Sequence, residues 1–108
     1  MEFRELIEFT KQIISIATDE ELYNLQLELC NGPLKGQLVK GTGGARKIRM
    51  AIGSKGKSGG ARIIYYWQDE DDVIWMLKAY SKNVKVNLTE NEKKDLHEII
   101  SDIKRGLL

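Results

Sequence analysis

The feature that most constrains the fold of this chain is a pair of apolar segments separated by four consecutive acidic residues. Residues 61–68 (ARIIYYWQ) and 73–82 (VIWMLKAYSK) are rich in β-branched and aromatic side chains, which favour strands. The acidic link between them predicts a solvated turn of an antiparallel hairpin. The first segment is apolar on both faces except at Arg62 and Gln68, so we expect it to lie at the centre of a sheet.

Another strand precedes this hairpin, because the apolar pattern adopts a period of two. Three apolar residues alternate with two basic residues and an alanine: Ile48, Met50 and Ile52 with Lys47, Arg49 and Ala51. This alternation predicts a strand with one apolar and one basic face, joined to the hairpin by the glycine-rich residues 53–60. The same rule divides the last strand into two faces, with Val73, Trp75, Leu77 and Ala79 on one and Met76, Lys78, Tyr80 and Lys82 on the other.

Helical patterns lie on both sides of these strands. Residues 2–17 have an amphipathic helical period, although the first few of them can instead form a short edge strand. Capping boxes at Thr18 with Glu21 and at Thr89 with Glu92 predict the starts of two further helices, and residues 31–33 (NGP) end the first of these. The sequence therefore predicts one α+β domain over residues 1–108, with an N-terminal αα-hairpin, an antiparallel meander and a C-terminal helix.

Charge is strongly segregated along the chain, although its net value is only +1. Residues 31–68 contain eight basic side chains and no acidic one, whereas residues 1–30 contain two basic and seven acidic ones. Such segregation creates a local positive field, which favours a polyanion such as a nucleic acid as the partner. The candidate phosphate contacts in this segment are Lys40, Arg46, Lys47, Lys55 and Lys57.

Several other classes of function are disfavoured by the sequence. His97 is the only histidine, so no site with two histidine ligands can form, and we expect neither a metal nor another cofactor. The glycine motifs around Gly43 and Gly56 lack the spacing and the following helix of nucleotide-binding loops. The absence of a long apolar run and the single Cys30 predict a cytoplasmic protein without a membrane span.

Three motifs in order resemble one protein family. They are residues 40–49 (KGTGGARKIR), residues 59–66 (GGARIIYY), and residues 80–83 (YSKN) followed by Leu88 and Thr89. Together they resemble the RelE/HigB toxins of bacterial type II toxin–antitoxin systems, in the HigB-like branch. The resemblance covers nearly the whole chain and is weakest over residues 1–17.

This resemblance implies a small antiparallel sheet flanked by helices and a ribosome-dependent endoribonuclease that cuts mRNA in the A site without a metal. It also implies a cognate antitoxin, often with a helix-turn-helix DNA-binding domain. By motif, the catalytic candidates are Arg49, Arg62 and Lys82, with Tyr80 in place of a tyrosine that some members carry further along. Asn83 departs from the family, because some members have a second loop arginine there.

Two alternatives remain open at this stage. The first is a toxin of the same fold that inhibits gyrase, as ParE does, and the second is a non-catalytic module that binds RNA or the ribosome. Within the predicted cluster no histidine or acid is available as a general base, so Lys47 or Lys82 would have to accept the proton. Residue alternation also leaves undecided whether all three strands direct their basic groups to the same side.

Overall fold

The computed structural model describes residues 1–53 and 60–108, so the candidate phosphate contacts Lys55 and Lys57 lie outside the described residues. Within these two ranges lie five strands and three helices, in the order β1 (Glu2–Glu5), α1 (Ile7–Ile16), α2 (Asp19–Asn31), β2 (Gln37–Leu38), β3 (Arg46–Met50), β4 (Ala61–Gln68), β5 (Val73–Ser81) and α3 (Glu90–Lys104). A short 3₁₀ turn, Asp69–Asp71, joins β4 to β5. This order confirms the predicted α+β class.

The five strands form one sheet in the order β1-β5-β4-β3-β2. Strands β3, β4 and β5 are the predicted antiparallel meander, with β4 at its centre. The N-terminal residues adopt the edge-strand alternative: β1 pairs in parallel with β5, Glu2 lies opposite Val73, and the first helix begins only at Ile7. Strand β2 was not predicted, because its two residues are too few to show a period.

Helices cover both faces of this sheet. On one face, α1 and α2 pack through Phe9, Ile13, Leu25 and Leu29 onto a cluster that contains Ile48, Met50, Ile63, Tyr65, Ile74, Met76 and Ala79. On the other face, α3 packs through Leu96, Ile100 and Ile103 onto a cluster that contains Ala45, Ile64, Val73, Trp75, Leu77 and Tyr80. The buried side chains of β4 therefore belong to two cores, which explains why that strand is apolar on both sides.

A β-bulge in β5 changes the faces that simple alternation predicts. Ile64 pairs with Lys78 but the next residue, Tyr65, pairs with Met76, so Leu77 has no partner on β4. An extra residue of this kind shifts the alternation by one position. Ala79 consequently packs on the α1–α2 side and Tyr80 on the α3 side, so the predicted division of β5 into two faces is wrong beyond Leu77.

The glycine-rich turn before β3 is held by a buried threonine. The Thr42 hydroxyl donates to the Val39 carbonyl at 2.7 Å and accepts from the Ala45 amide at 3.0 Å. Gly43 and Gly44 have positive φ angles of 79° and 129°, a region that favours glycine. The motif is thus a turn that starts a strand, as the sequence predicted, and no helix follows it.

The connection between α2 and β2 is fixed by one tyrosine. The Tyr65 hydroxyl accepts from the Gly36 amide at 2.9 Å and donates to the Pro33 carbonyl at 2.7 Å. The Arg46 guanidinium supports the same connection by donating to the carbonyls of Leu34 and Gly36. The buried Tyr65 therefore links the sheet to residues that have no regular structure of their own.

We expect Tyr65→Phe to destabilise the fold. The change leaves the Gly36 amide without its hydroxyl partner, and a buried donor without a partner costs about 1–3 kcal/mol. Urea unfolding followed by circular dichroism measures the loss. The matched control is Tyr23→Phe, since Tyr23 is 58% exposed on α2, and it should leave the free energy of unfolding unchanged. Equal stability of the two variants would contradict this role for Tyr65.

Candidate active site

Three of the predicted site residues form one row across the sheet. Arg49 of β3 lies directly opposite Arg62 of β4, and Arg62 lies directly opposite Tyr80 of β5. All three are on the α3 side, because Ile48 and Ala61, their neighbours along the strands, pack on the α1–α2 side. The strand pairing thus brings together side chains whose common direction the sequence left undecided. We call Arg49, Arg62 and Tyr80 the cross-strand row.

The two arginines of the row are like charges in directly opposed positions, an arrangement that destabilises a sheet. Arg62 is also only 8% exposed, although arginine is almost never this buried in a core. An anion at this pair would form charge-assisted hydrogen bonds with both guanidinium groups. The row therefore has the chemistry of a phosphate site.

A cavity of about 390 Å³ opens at this pair of arginines. Lys47 lines it beside Arg49 and Arg62, and the other polar lining residues are Glu28, Lys35, Gln37 and Asn87. Lys47 precedes Arg49 by two positions on the same strand and hence has the same direction. The basic face predicted for β3 is thus one wall of a concave site.

Glu28 is an acidic group in this cavity that the sequence did not indicate. It belongs to α2, and its carboxylate pairs with the Lys35 ammonium at 2.9 Å. Glu28 is remote in sequence from the basic strands, and its helix reaches the cavity only in the folded chain. The expectation that no acid lies in the cluster is therefore wrong.

Tyr80, at the other end of the row, is buried against α3. Among the described residues its hydroxyl has no hydrogen-bond partner. Burial raises the pKa of the Tyr80 hydroxyl, the nearby Arg62 charge opposes that rise and the Glu92 charge adds to it. The Lys85 ammonium lies over the ring, 5.4 Å from its centroid. The hydroxyl is therefore a protonated donor at neutral pH.

Two lysines and two glutamates form ion pairs beside Tyr80 that reach both helical layers. Glu92 of α3 pairs with Lys85, and with Lys78 at 3.3 Å, while Lys78 also reaches Glu8 of α1 at 3.1 Å. Burial tends to raise the pKa of the Glu92 carboxyl, but hydrogen bonds from Lys85, the Thr89 amide and Lys78 outweigh it and lower this pKa to about 2. We call Glu8, Lys78, Lys85 and Glu92 the ion-pair network.

The residue pattern indicates the members of this network only weakly. Lys78 and Lys85 lie in an acid-free stretch, and Glu92 was identified solely as the partner of Thr89 in a capping box. In the structure one Glu92 oxygen accepts from the Thr89 amide at 2.9 Å, while the other accepts from the two lysines. The Glu92 carboxylate therefore caps α3 with one oxygen and binds two lysines beside the site with the other.

The remaining predicted residues lie outside the row. Lys82 is exposed just after β5, and its amide donates to the Gly60 carbonyl at 3.2 Å. Lys40 is exposed in the turn before β3, whereas Arg49 is near the far end of that strand. Arg46 points to the α1–α2 side, where its guanidinium bonds to main-chain carbonyls. Lys82 is thus near the row, and Lys40 and Arg46 are not.

Residues 1–53 and 60–108 lack two further features. None of the helices there is both long and apolar enough to cross a membrane. The same residues contain no group of three or more histidine, cysteine, aspartate or glutamate side chains that could hold a metal ion.

Comparison with known proteins identifies the family. Residues 8–105 match the family model described as "RelE toxin of RelE / RelB toxin-antitoxin system". The chain belongs to the RelE toxin family. It is therefore a toxin of a toxin–antitoxin system, with an antitoxin as its partner and the ribosome as the target that the family implies. Its assignment to a HigB-like branch stays a prediction.

A solved structure supports the fold of this RelE family member. A double arginine-to-alanine mutant of the E. coli toxin RelE in the free state aligns with a TM-score of 0.59. The alignment covers 99% of this chain and 97% of that chain at 16% sequence identity. The TM-score establishes the shared fold. Because the sequence identity is low, the roles of individual residues have to be argued from the site itself.

We expect Glu92→Gln to reduce stability in a pH-dependent way. The folded pKa of about 2 is below the ordinary value of 4.5, so Glu92 stabilises the fold above pH 4.5 and loses this effect as the pH falls towards 2. Glutamine keeps the capping box but not the charge. The variant should be less stable by about 1–2 kcal/mol at pH 7.

Urea unfolding at several values between pH 7 and pH 3 measures this effect, and the difference from wild type should shrink as the pH falls. The control is Glu90→Gln in the same helical turn, because the Glu90 side chain is 86% exposed. A deficit of the Glu92 variant that stays constant over this pH range would contradict the pKa assignment.

Proposed function

We propose that this toxin is a ribosome-dependent endoribonuclease that cuts mRNA in the A site without a metal. The observation that carries the proposal is the cross-strand row, which combines two opposed arginines with a buried tyrosine at the edge of a basic cavity. RNA contains its own nucleophile, the 2′-hydroxyl, so the protein has only to orient the strand, stabilise charge and move protons.

In this mechanism the 2′-hydroxyl attacks the adjacent phosphorus, and the bond from phosphorus to the 5′ oxygen breaks. The products are a 2′,3′-cyclic phosphate, or the 3′-phosphate after hydrolysis, and a 5′-hydroxyl. Negative charge builds on the phosphoryl oxygens, where Arg49 and Arg62 donate hydrogen bonds, and the Lys82 ammonium donates a proton to the leaving 5′ oxygen. Aligned donors of this kind are most effective where water is excluded, as at the buried Arg62.

The proton of the 2′-hydroxyl needs an acceptor on the cavity wall. Lys47 and Glu28 both line the cavity with the arginines, and Lys82 lies beyond Tyr80. A free lysine has a pKa of about 10.4 and is a weak base at neutral pH. Lys47 lies two positions from Arg49 on β3, and Glu28 is the acidic alternative.

The ribosome supplies the alignment that a modest base requires. Holding the reacting groups in place can lower the activation barrier by about 7–11 kcal/mol. We further propose that Lys40, Lys55 and Lys57 contact phosphates of mRNA or ribosomal RNA. The toxin would act in the cytoplasm as one domain and be neutralised by an antitoxin with a helix-turn-helix domain.

We expect Arg62→Ala and Arg49→Ala each to lower the cleavage rate by about 10²–10³, the usual cost of one such donor. The measurement is single-turnover cleavage of mRNA on purified ribosomes. Arg105→Ala is the control, because Arg105 is an exposed cation at the end of α3, and it should cleave at the wild-type rate. Arg49 is itself exposed, so its variant tests the chemistry even if the buried Arg62 variant fails to fold.

We also expect cleavage of mRNA in a translating extract and little cleavage of the same RNA alone. Primer extension locates the cuts in both samples. Equal rates with and without ribosomes would disprove ribosome dependence. Ribosome binding without any cleavage would favour a non-catalytic module, and DNA double-strand breaks in place of translation arrest would favour a gyrase inhibitor.

A further inference from the structure

The cavity at Arg49 and Arg62 has one wall that the cleavage chemistry does not use. Gln37 of β2 lines this cavity and lies directly opposite Lys47 of β3, so both side chains extend from the same face of the sheet. Lys47 in turn shares its direction with Arg49, two positions further along β3. Gln37 is therefore an exposed, neutral side chain beside the cations of the cavity.

The strand order places Gln37 and Tyr80 at opposite ends of the site. β2 forms one edge of the sheet and β5 lies beyond β4, with the two arginines on the strands between them. Adjacent strands are about 5 Å apart, and two positions along β3 span about 7 Å, so the backbones of Gln37 and Arg49 are roughly 9 Å apart. An RNA strand with its scissile phosphate at the arginines can therefore present a neighbouring base to Gln37.

The Gln37 amide differs in its chemistry from the cations around it. Lysine and arginine side chains that bind phosphates carry no sequence information, because the phosphate is the same in every nucleotide. A glutamine amide presents a donor and an acceptor side by side, and these match the N7 acceptor and the N6 amino donor on one edge of adenine. Asn87 also lines the cavity but lies in a loop, whereas strand pairing fixes Gln37, and strands hold side chains more precisely than loops.

We propose that Gln37 is a specificity-determining residue that recognises an adenine beside the scissile phosphate through two hydrogen bonds. The proposal rests on the proposed function, because it takes the scissile phosphate to lie at Arg49 and Arg62. The amide Nε2 donates to N7 of the unstacked base, and the amide Oε1 accepts from its N6 amino group. Gln37 touches no reacting atom, so it decides which sequences are cut and leaves the chemical step to the other residues.

Gln37→Glu tests this recognition with almost no change in shape. A carboxylate has no donor for N7 of adenine but accepts from the N4 amino group of cytosine, so the preference should move from adenine to cytosine. Sequencing of the cut sites on ribosome-bound mRNA should show adenine at one fixed position beside the wild-type cut, and the variant should lose this preference by about tenfold or more. Gln37→Met, which adds no charge, should lose the adenine preference without gaining one for cytosine.

The matched control is Leu38→Glu, which adds the same charge to the next residue of β2. Leu38 is 64% exposed and lies opposite Arg46, so it extends from the other face of the sheet. The cut-site profile of this control should match wild type. A wild-type profile without an adenine preference, or one that Gln37→Glu and Gln37→Met leave unchanged, would overturn the proposal.

A binding measurement separates failure of base recognition from failure of the nuclease. Trinucleotides of adenine, cytosine, guanine or uracil with 2′-O-methyl groups have no free 2′-hydroxyl and cannot be cut. In NMR titrations of the wild-type protein, the adenine trinucleotide should shift the Gln37 side-chain amide signals, and the other three should shift them several-fold less. This result without cleavage on ribosomes would refute the nuclease and support the base contact. Cleavage with Gln37 signals that respond equally to all four trinucleotides would overturn the contact.

Discussion

The burial of β4 on both faces determines where every other element lies. Ile63 and Tyr65 require a helical layer on one side, and Ile64 requires one on the other, so the sheet must be enclosed by α1 and α2 on one face and by α3 on the opposite face. The enclosure needs β3 and β5 as neighbours of β4, since an eight-residue apolar strand cannot be an edge. Arg62 is the one charged residue within this strand, so its side chain is a charged group in the interior of the protein.

That constraint has a functional consequence. Because Arg62 is buried and Arg49 lies directly opposite, two cationic side chains meet in neighbouring strands at the edge of the cavity. The ion-pair network stabilises the same region by joining α1, β5 and α3 around Tyr80. The cationic row thus lies beside a set of ion pairs that join β5 to helices on both faces of the sheet.

The sequence predicted those parts of the molecule that depend on neighbouring residues. The strands of the meander follow from the residue pattern within each segment, and the capping boxes at Thr18 and Thr89 and the glycine turn before β3 rest on contacts within a few positions. The structure confirms all of them. The bulge at Leu77 was missed, because it arises from the pairing of β4 with β5 and cannot be read from the alternation of residues within a single strand. The same holds for β2, which exists only as a short partner of β3.

For the candidate site, the sequence by itself determined the residue types. It indicated a basic segment without acids, and it singled out Arg49, Arg62, Lys82 and Tyr80. Only the tertiary structure decided how they are arranged: the register of three strands put Arg49, Arg62 and Tyr80 in one row, and packing of α2 and α3 brought Glu28 and Glu92 beside them. The physical reason is that charge and period are local properties of a chain, whereas register and helix packing depend on how distant residues share a core.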